Sequence, residues 1–372
     1  MNRDKLLYRI ALTMIKGVGH TTARQLLDIT GSEEAVFTET KRALASVPGL
    51  SSAVVNEIMR PEVLQCAEQE LAFIEKNRIT PYFFTDSDYP FRLKECADAP
   101  LLFYFKGEGN LDAAKIISVV GTRHATEYGK ELTRNLIAGL SAYFPDLLVI
   151  SGLAYGIDIQ AHRSALQHGL PTVGVLAHGL DRIYPDVHRR TAVEMLERGG
   201  LLTDFPSGTN PDRANFVKRN RIVAGLADAT VVVESAEKGG SLITADLAFS
   251  YGRDVYAFPG RVTDGYSCGC HALIRGNKAG LITSAADLID ALCWKKELQR
   301  TQPPVQGCLC FDLTADEEPV VALLKETGEA QVNQLAVTLH CPICRLSPVL
   351  FGLEMKGIVK NLPGGRYKLI GG

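Results

Sequence analysis

Between Arg213 and Gly225 the chain carries four cations and no anion, although its overall formal charge is −2. The segment reads Arg213-Ala214-Asn215-Phe216-Val217-Lys218-Arg219-Asn220-Arg221-Ile222. Phosphates favour positive charge and unstacked bases favour a flat partner, so cations with an interleaved aromatic suit a single nucleic-acid strand. Taken alone, such a run is equally a solvated helical face. Its place shortly after a β-rich run favours the ligand reading.

Three further segments have the composition of anion loops. Gly121-Thr122-Arg123 follows an apolar run, and Arg123 adds a planar fork that matches a phosphate. Ser151-Gly152-Leu153-Ala154-Tyr155-Gly156 follows a second run, and Lys238-Gly239-Gly240-Ser241 opens a helical pattern after a third. Small residues leading into a helix leave backbone N–H groups and a positive dipole end for an anion. No segment completes G-x-G-x-x-G, so a dinucleotide is not specified. Asp158 and His162, four apart on one helical face, are a base and its partner or, more simply, structural groups beneath the loop. Asp181, near Tyr184-Pro185, either receives a ribose or base donor or holds a turn.

Elements that bring these loops together are legible between about residues 79 and 295. Short β-rich runs at Ile116–Val120, Leu147–Ile150, Thr172–Leu176, Leu201–Thr203, Thr230–Glu234, Val255–Phe258 and Leu281–Thr283 alternate with helical patterns such as Lys130–Tyr143 and Ile157–His168. Strands alternating with helices predict a Rossmann-like, doubly wound parallel sheet covered on both faces. Ligands of such sheets bind beyond the carboxyl ends of the strands, where the strand order reverses. All four loops above lie at those ends.

The flanks differ in texture. Residues 1–78 predict only helices, broken at Lys16-Gly17-Val18-Gly19-His20 and Val47-Pro48-Gly49-Leu50. The first break fits a helix-hairpin-helix turn or an ordinary helix cap. Residues 296–313 contain Pro303-Pro304, lack periodicity and read as a linker. Residues 314–372 predict three helices, at 314–326, 332–340 and 345–356, and a hairpin turning at Pro363-Gly364-Gly365, which is the winged-helix pattern.

The chain has 372 residues, 46% hydrophobic and 22% charged, which excludes a disordered or fibrous protein. Lys and Arg number 40 against 42 Asp and Glu, so any nucleic-acid site is a local patch. No apolar run reaches membrane-spanning length, and an odd count of nine cysteines suits reduced thiols, so a cytoplasmic protein without membrane contact is expected. Cys308-x-Cys310 and Cys341-x-x-Cys344 are a possible zinc set. Cys341-Pro342 more simply opens a helix, and neither metal nor cofactor is expected.

Several motifs together resemble the DNA-processing protein A family (DprA/Smf). They are Gly121-Thr122-Arg123, Ser151-Gly152-x-Ala154-x-Gly156-Ile157-Asp158, Ala161-His162, Tyr184-Pro185, Phe216-x-x-Arg219-Asn220-Arg221-Ile222, Lys238-Gly239-Gly240-Ser241-Leu242-Ile243-Thr244-Ala245 and Pro259-Gly260. Tyr89-Pro90, Asp98-Ala99-Pro100 and Tyr104-x-Lys106-Gly107 fit as well. The resemblance implies a non-enzymatic protein that binds and protects incoming single-stranded DNA, recruits the RecA recombinase during natural transformation, and works as a homodimer. It carries DNA contacts onto Gly121, Thr122, Arg123, Ser151, Gly152, Phe216, Lys218, Arg219, Asn220, Arg221, Lys238, Gly239, Gly240 and Ser241. Val217 and Gly239 stand where the family commonly has Pro and Ser, and His271 where it has Asn. A competing enzymatic reading, a nucleoside-monophosphate phosphoribohydrolase, requires P-G-G-x-G-T-x-x-E. Here Lys238 replaces the Pro, Leu242 and Ile243 replace Gly-Thr, and Asp246 falls at the catalytic Glu.

Overall fold

The computed structural model describes residues 3–294, 313–362 and 364–370. At its centre are strands β1 (Thr80–Phe83), β2 (Leu102–Gly107), β3 (Ile116–Val120), β4 (Leu148–Ser151), β5 (Thr172–Val175), β6 (Gly200–Thr203), β7 (Ala229–Val232), β8 (Asp254–Ala257) and β9 (Gly280–Leu281). They form one sheet in the order β1-β2-β6-β5-β4-β3-β7-β8-β9. The chain runs outward from β3 to β6, returns to place β7 on the other side of β3, and continues to β9. The reversal therefore falls between β3 and β7, whose Ile117 and Ala229 stand opposite each other.

Period-two alternation assigns the two faces. Ile116, Val120, Leu148 and Ile150 pack with Ile222 and Val223 of the helix Arg213–Gly225 and with Ala245 and Ala248 of the helix Gly240–Ser250. Ile117, Val119 and Val149 pack against the opposite helices, Glu127–Ser141 and Ile157–Gln167, through Leu136, Ile137, Ala161 and Ala165. All five residues of β3 are buried, which is why that run is apolar without alternation. Its one hydroxyl, Ser118, meets Thr230 at 2.7 Å.

The sheet is mixed at one edge, where the sequence predicted only parallel strands. β2 runs antiparallel to β6, and β1 antiparallel to β2. Pro81 lies in β1, an edge strand, where a missing N–H is tolerated. This edge joins the N-terminal helices to the sheet. Phe103 and Phe105 face the α/β core, while Leu102 and Tyr104 turn to Leu6, Ile10, Leu71 and Ile74.

The chain between 313 and 370 folds into helices Glu318–Thr327, Val332–Thr338 and Ile343–Met355 with strands β10 (Glu329–Gln331), β11 (Val359–Leu362) and β12 (Arg366–Leu369). These strands are antiparallel in the order β10-β12-β11. Pro342 stands at the N-cap of the last helix. Cys308 and Cys310, with most of the predicted linker, lie outside the described residues. Among the described residues no His, Cys, Asp and Glu group could hold a metal, and no single helix is long and apolar enough to cross a membrane.

Candidate nucleic-acid interface

The loops after β3, β4 and β7 meet at the reversal point through their backbones. Thr122 N–H donates to the Glu234 carbonyl at 2.7 Å, and the Thr122 carbonyl accepts from Ile157 N–H at 3.2 Å. Gly121 lies where a Cβ would come within 2.5 Å of the Ile157 side chain and 2.9 Å of the Glu234 carbonyl. Its role is therefore close approach. The Glu234 carboxylate, buried beneath, accepts from Thr126 N–H at 3.0 Å and Thr126 Oγ1 at 2.5 Å. This framework presents Arg123, which is exposed and has its guanidinium 4.8 Å from the Phe216 ring centroid.

The four cations of the helix Arg213–Gly225 divide sharply. Arg213 and Lys218 are exposed. Arg219 is 3% exposed and donates from Nη1 to the Gly152 carbonyl at 2.7 Å and to the Val175 carbonyl. Arg221 is bonded to the Asp204 carboxylate and the Asp98 carbonyl. Burial lowers the Arg219 pKa to about 10, opposed by Asp158 and aided by Arg123. Arg219 and Arg221, for which the sequence expected direct DNA contacts, thus direct these donors to groups of the protein itself. Asn220 Oδ1 accepts from Arg219 Nε at 3.3 Å, and Phe216 stays half-buried between Arg123 and Arg219.

Two predicted hydroxyls also turn inward. Ser151, fully buried, donates to the Val119 carbonyl at 2.6 Å. Ser241 donates to Ser235 Oγ at 2.8 Å. The Thr122 amide is bonded as described, and the Gly239 amide donates to the Ala236 carbonyl at 3.0 Å. Gly240 is exposed with open space above its Cα, and Lys238 is exposed beside it. Gly152 is closely surrounded, since a Cβ there would lie 2.5 Å from both terminal nitrogens of Arg219 and 2.6 Å from Asp158 Oδ2. Among the described residues Arg123, Lys218 and Lys238 have no ion-pair partner, whereas Arg92, Arg221, Arg253 and Lys278 all do.

The acid–base candidates are structural. His162 is buried, its Nδ1 lies 2.7 Å from Thr172 Oγ1, and burial lowers its pKa to about 3. Asp158 is pushed up by burial and held back chiefly by Arg219. Asp181 holds a turn, accepting from Gly208 N–H at 2.9 Å and Arg182 Nε at 2.9 Å. Asp246 is ion-paired with Lys278 at 2.7 Å. His271 Nε2 lies 3.0 Å from the Gly260 carbonyl.

One residue that sequence reasoning missed shapes the site's border. Glu70, buried on the helix Pro61–Asn77, accepts from Ser207 N–H at 2.9 Å and from the Ser207 hydroxyl. It thereby ties the N-terminal helices to the loop that leads from β6 to Arg213. Its signal was present, because Glu70 interrupts the helical stripe Val63, Ala67, Leu71, Ile74.

Fold and site together define an open α/β protein of the doubly wound class, with its ligand edge at the strand-order reversal. Residues 80–293 match the model of the DNA recombination-mediator protein A family, and the chain belongs to that family. It is 37% identical over 281 residues to a putative DNA processing protein DprA of Mycobacterium tuberculosis, covering 75% of this chain and 71% of that one. The crystal structure of DprA from Streptococcus pneumoniae superposes with a TM-score of 0.66 at 33% identity, over 76% of this chain and 97% of that one. DprA from Helicobacter pylori, solved for its unique single-stranded DNA binding mode, gives 0.53 at 27% identity, over 58% of this chain and 96% of that one.

Proposed function

We propose that this protein binds single-stranded DNA along the β3–β7 edge, stoichiometrically and without turnover. The observation that carries the reading is exposed Arg123 stacked on half-buried Phe216, with two further exposed cations that have no ion-pair partner, Lys218 on the helix of Phe216 and Lys238 on the loop after β7. Charge in this arrangement neutralises phosphates and the ring offers a surface for a base. Family membership supports the same ligand, and the single-strand binding mode of the Helicobacter pylori relative agrees with it. The pairing of Asp246 with Lys278, and the burial of His162, support a binder over a phosphoribohydrolase. In the finer reading, the protein acts as a homodimer and places RecA on the bound strand during transformation and recombination.

The test compares labelled oligothymidylate with duplex of equal length at two salt concentrations. Arg123→Ala, Lys218→Ala and Lys238→Ala are each expected to weaken single-strand binding. Each also lowers the slope of log affinity against log salt by roughly 0.7 for every phosphate that is no longer neutralised. Parent-like binding by all three variants refutes this location. The same samples, incubated with AMP, ATP and magnesium, should release neither phosphate nor ribose phosphate. The RecA step is checked by filament growth on strands precoated with a competing single-strand binder.

A further inference from the structure

Two tyrosines continue the aromatic surface beyond Phe216. Tyr184 is 45% exposed, and its ring centroid lies 6.1 Å from that of Phe216. Tyr155 is 47% exposed and meets His188 at 5.1 Å, edge to face. His188 belongs to the short turn Asp186–His188 that follows Tyr184-Pro185, so one stretch of chain carries Tyr184, exposed Val187 and the ring that Tyr155 meets. We propose that Tyr184 and Tyr155 are base platforms that extend the single-strand track past Phe216 towards the loops after β4 and β5. This rests on the single-strand reading above and adds residues to it.

Three features carry the inference. The supports of the rings are fixed: buried His188, which Tyr155 meets, donates from Nδ1 to the Leu153 carbonyl at 2.9 Å, and the Tyr184 backbone N–H donates to His178 Nε2 at 3.2 Å. A preset ring loses little freedom when a base lands on it. Next, the site adjoins Arg123, because Tyr155 precedes Gly156, at which a Cβ would come within 2.1 Å of the Thr122 carbonyl and 2.7 Å of the Arg123 backbone. Last, the cations beside the strip are neutralised locally. Arg182 pairs with Asp181 at 2.9 Å and Arg189 with Asp186 at 2.8 Å. A strip of half-exposed rings without free charge binds bases by stacking, and it does so with little sequence preference.

Charge and stacking separate experimentally, since only phosphate contacts release counterions. The full chain is titrated with labelled oligothymidylate and with an equally long abasic strand, at several salt concentrations. Tyr184→Ala and Tyr155→Ala are each expected to weaken oligothymidylate binding by roughly 5- to 150-fold, the effect of about 1–3 kcal/mol per stacked base. Abasic-strand binding and the salt slope stay at parent values, and Tyr184→Phe and Tyr155→Phe bind like the parent. Parent-like binding by both alanine variants overturns the inference, and so does an equal loss on both strands. If the parent chain itself ignores oligothymidylate, the single-strand reading fails and takes this one with it. Both rings are surface groups, so thermal midpoints unchanged from the parent confirm that the variants are folded.

Discussion

Arg219→Leu and Lys218→Ala remove neighbouring cations from one helix and should have opposite consequences. Arg219, itself 3% exposed, is bonded to the Gly152 and Val175 carbonyls and attracts the charge of buried Asp158. Its removal strands a buried carboxylate and two carbonyls. Breaking a buried pair by deleting one partner costs about 3–5 kcal/mol. For a unit of this size each kcal/mol shifts the midpoint by roughly 2–4 °C, so a fall of about 6–20 °C is expected. Lys218 is exposed and unpaired, and its loss should change stability by no more than about 0.5 kcal/mol. The DNA readout reverses, with Lys218→Ala flattening the salt slope.

The lone tryptophan makes this measurable. Trp294 is buried in the core that packs on β3 and β4, so its emission reports unfolding of the α/β unit. The pH dependence adds a sign. Burial raises the Asp158 pKa and Arg219 is the largest opposing influence, so in Arg219→Leu the pKa rises further. A carboxyl with a raised folded pKa contributes stability below its unfolded pKa and loses it as pH rises through the folded value. The deficit of Arg219→Leu should therefore be smaller in acid and widen as pH rises past the ordinary carboxylate range. Asp158→Asn in the Arg219→Leu background should recover part of the loss. If Arg219→Leu instead unfolds with the parent and only flattens the salt slope, Arg219 is a phosphate ligand and the burial argument is wrong.

Other outcomes follow from single contacts. Glu70→Ala releases Ser207 and should cost about 1–3 kcal/mol while weakening DNA binding at an unchanged salt slope, as seen in the same titrations. Gly152→Ala places a methyl group against Arg219 and Asp158, and its thermal midpoint should fall alongside that of Arg219→Leu. Asp254, whose carboxylate accepts from Gln331 and from Asn333 at 3.0 Å, is raised by burial to about 6, with Asp228 adding to the shift. Its contribution is present below the unfolded carboxylate value and lost as pH rises through about 6. Amide protection in residues 318–355, corrected for the intrinsic pH dependence of exchange, should therefore rise on acidification from about pH 7 to 5 in the parent, and not in Asp254→Asn.

The parallel core of the sheet was legible because strands buried on both faces are apolar without alternation, as in Ile116–Val120, where Ser118 is the one polar residue. β1 was not, because Pro81 argues against a strand unless that strand is known to be an edge. At the site, residue type revealed charge but not direction. Arg219 could have been singled out, since it lies three and four residues before buried Ile222 and Val223, on the core face of its helix. Neither Ser151 nor Ser241 carried such a signal, because hydroxyls serve inward and outward roles equally well.

The buried arginine also explains why the site is confined to the edge it occupies. Parallel strands end in carbonyls that need donors, and Arg219 supplies them to the residue after β4 and the last residue of β5. That closes the centre of the carboxyl edge and leaves Arg123, Lys218 and Lys238 around it as unpaired cations. Arg123 is close enough to help lower the Arg219 pKa, so the unliganded site holds two cations in mutual repulsion. A phosphate at Arg123 relieves that repulsion without touching Arg219. Binding and folding are thereby linked, and saturating single-stranded DNA should raise the thermal midpoint. The rise should be smaller in Arg123→Ala at the same strand concentration, because that variant has less repulsion for the strand to relieve and binds it more weakly.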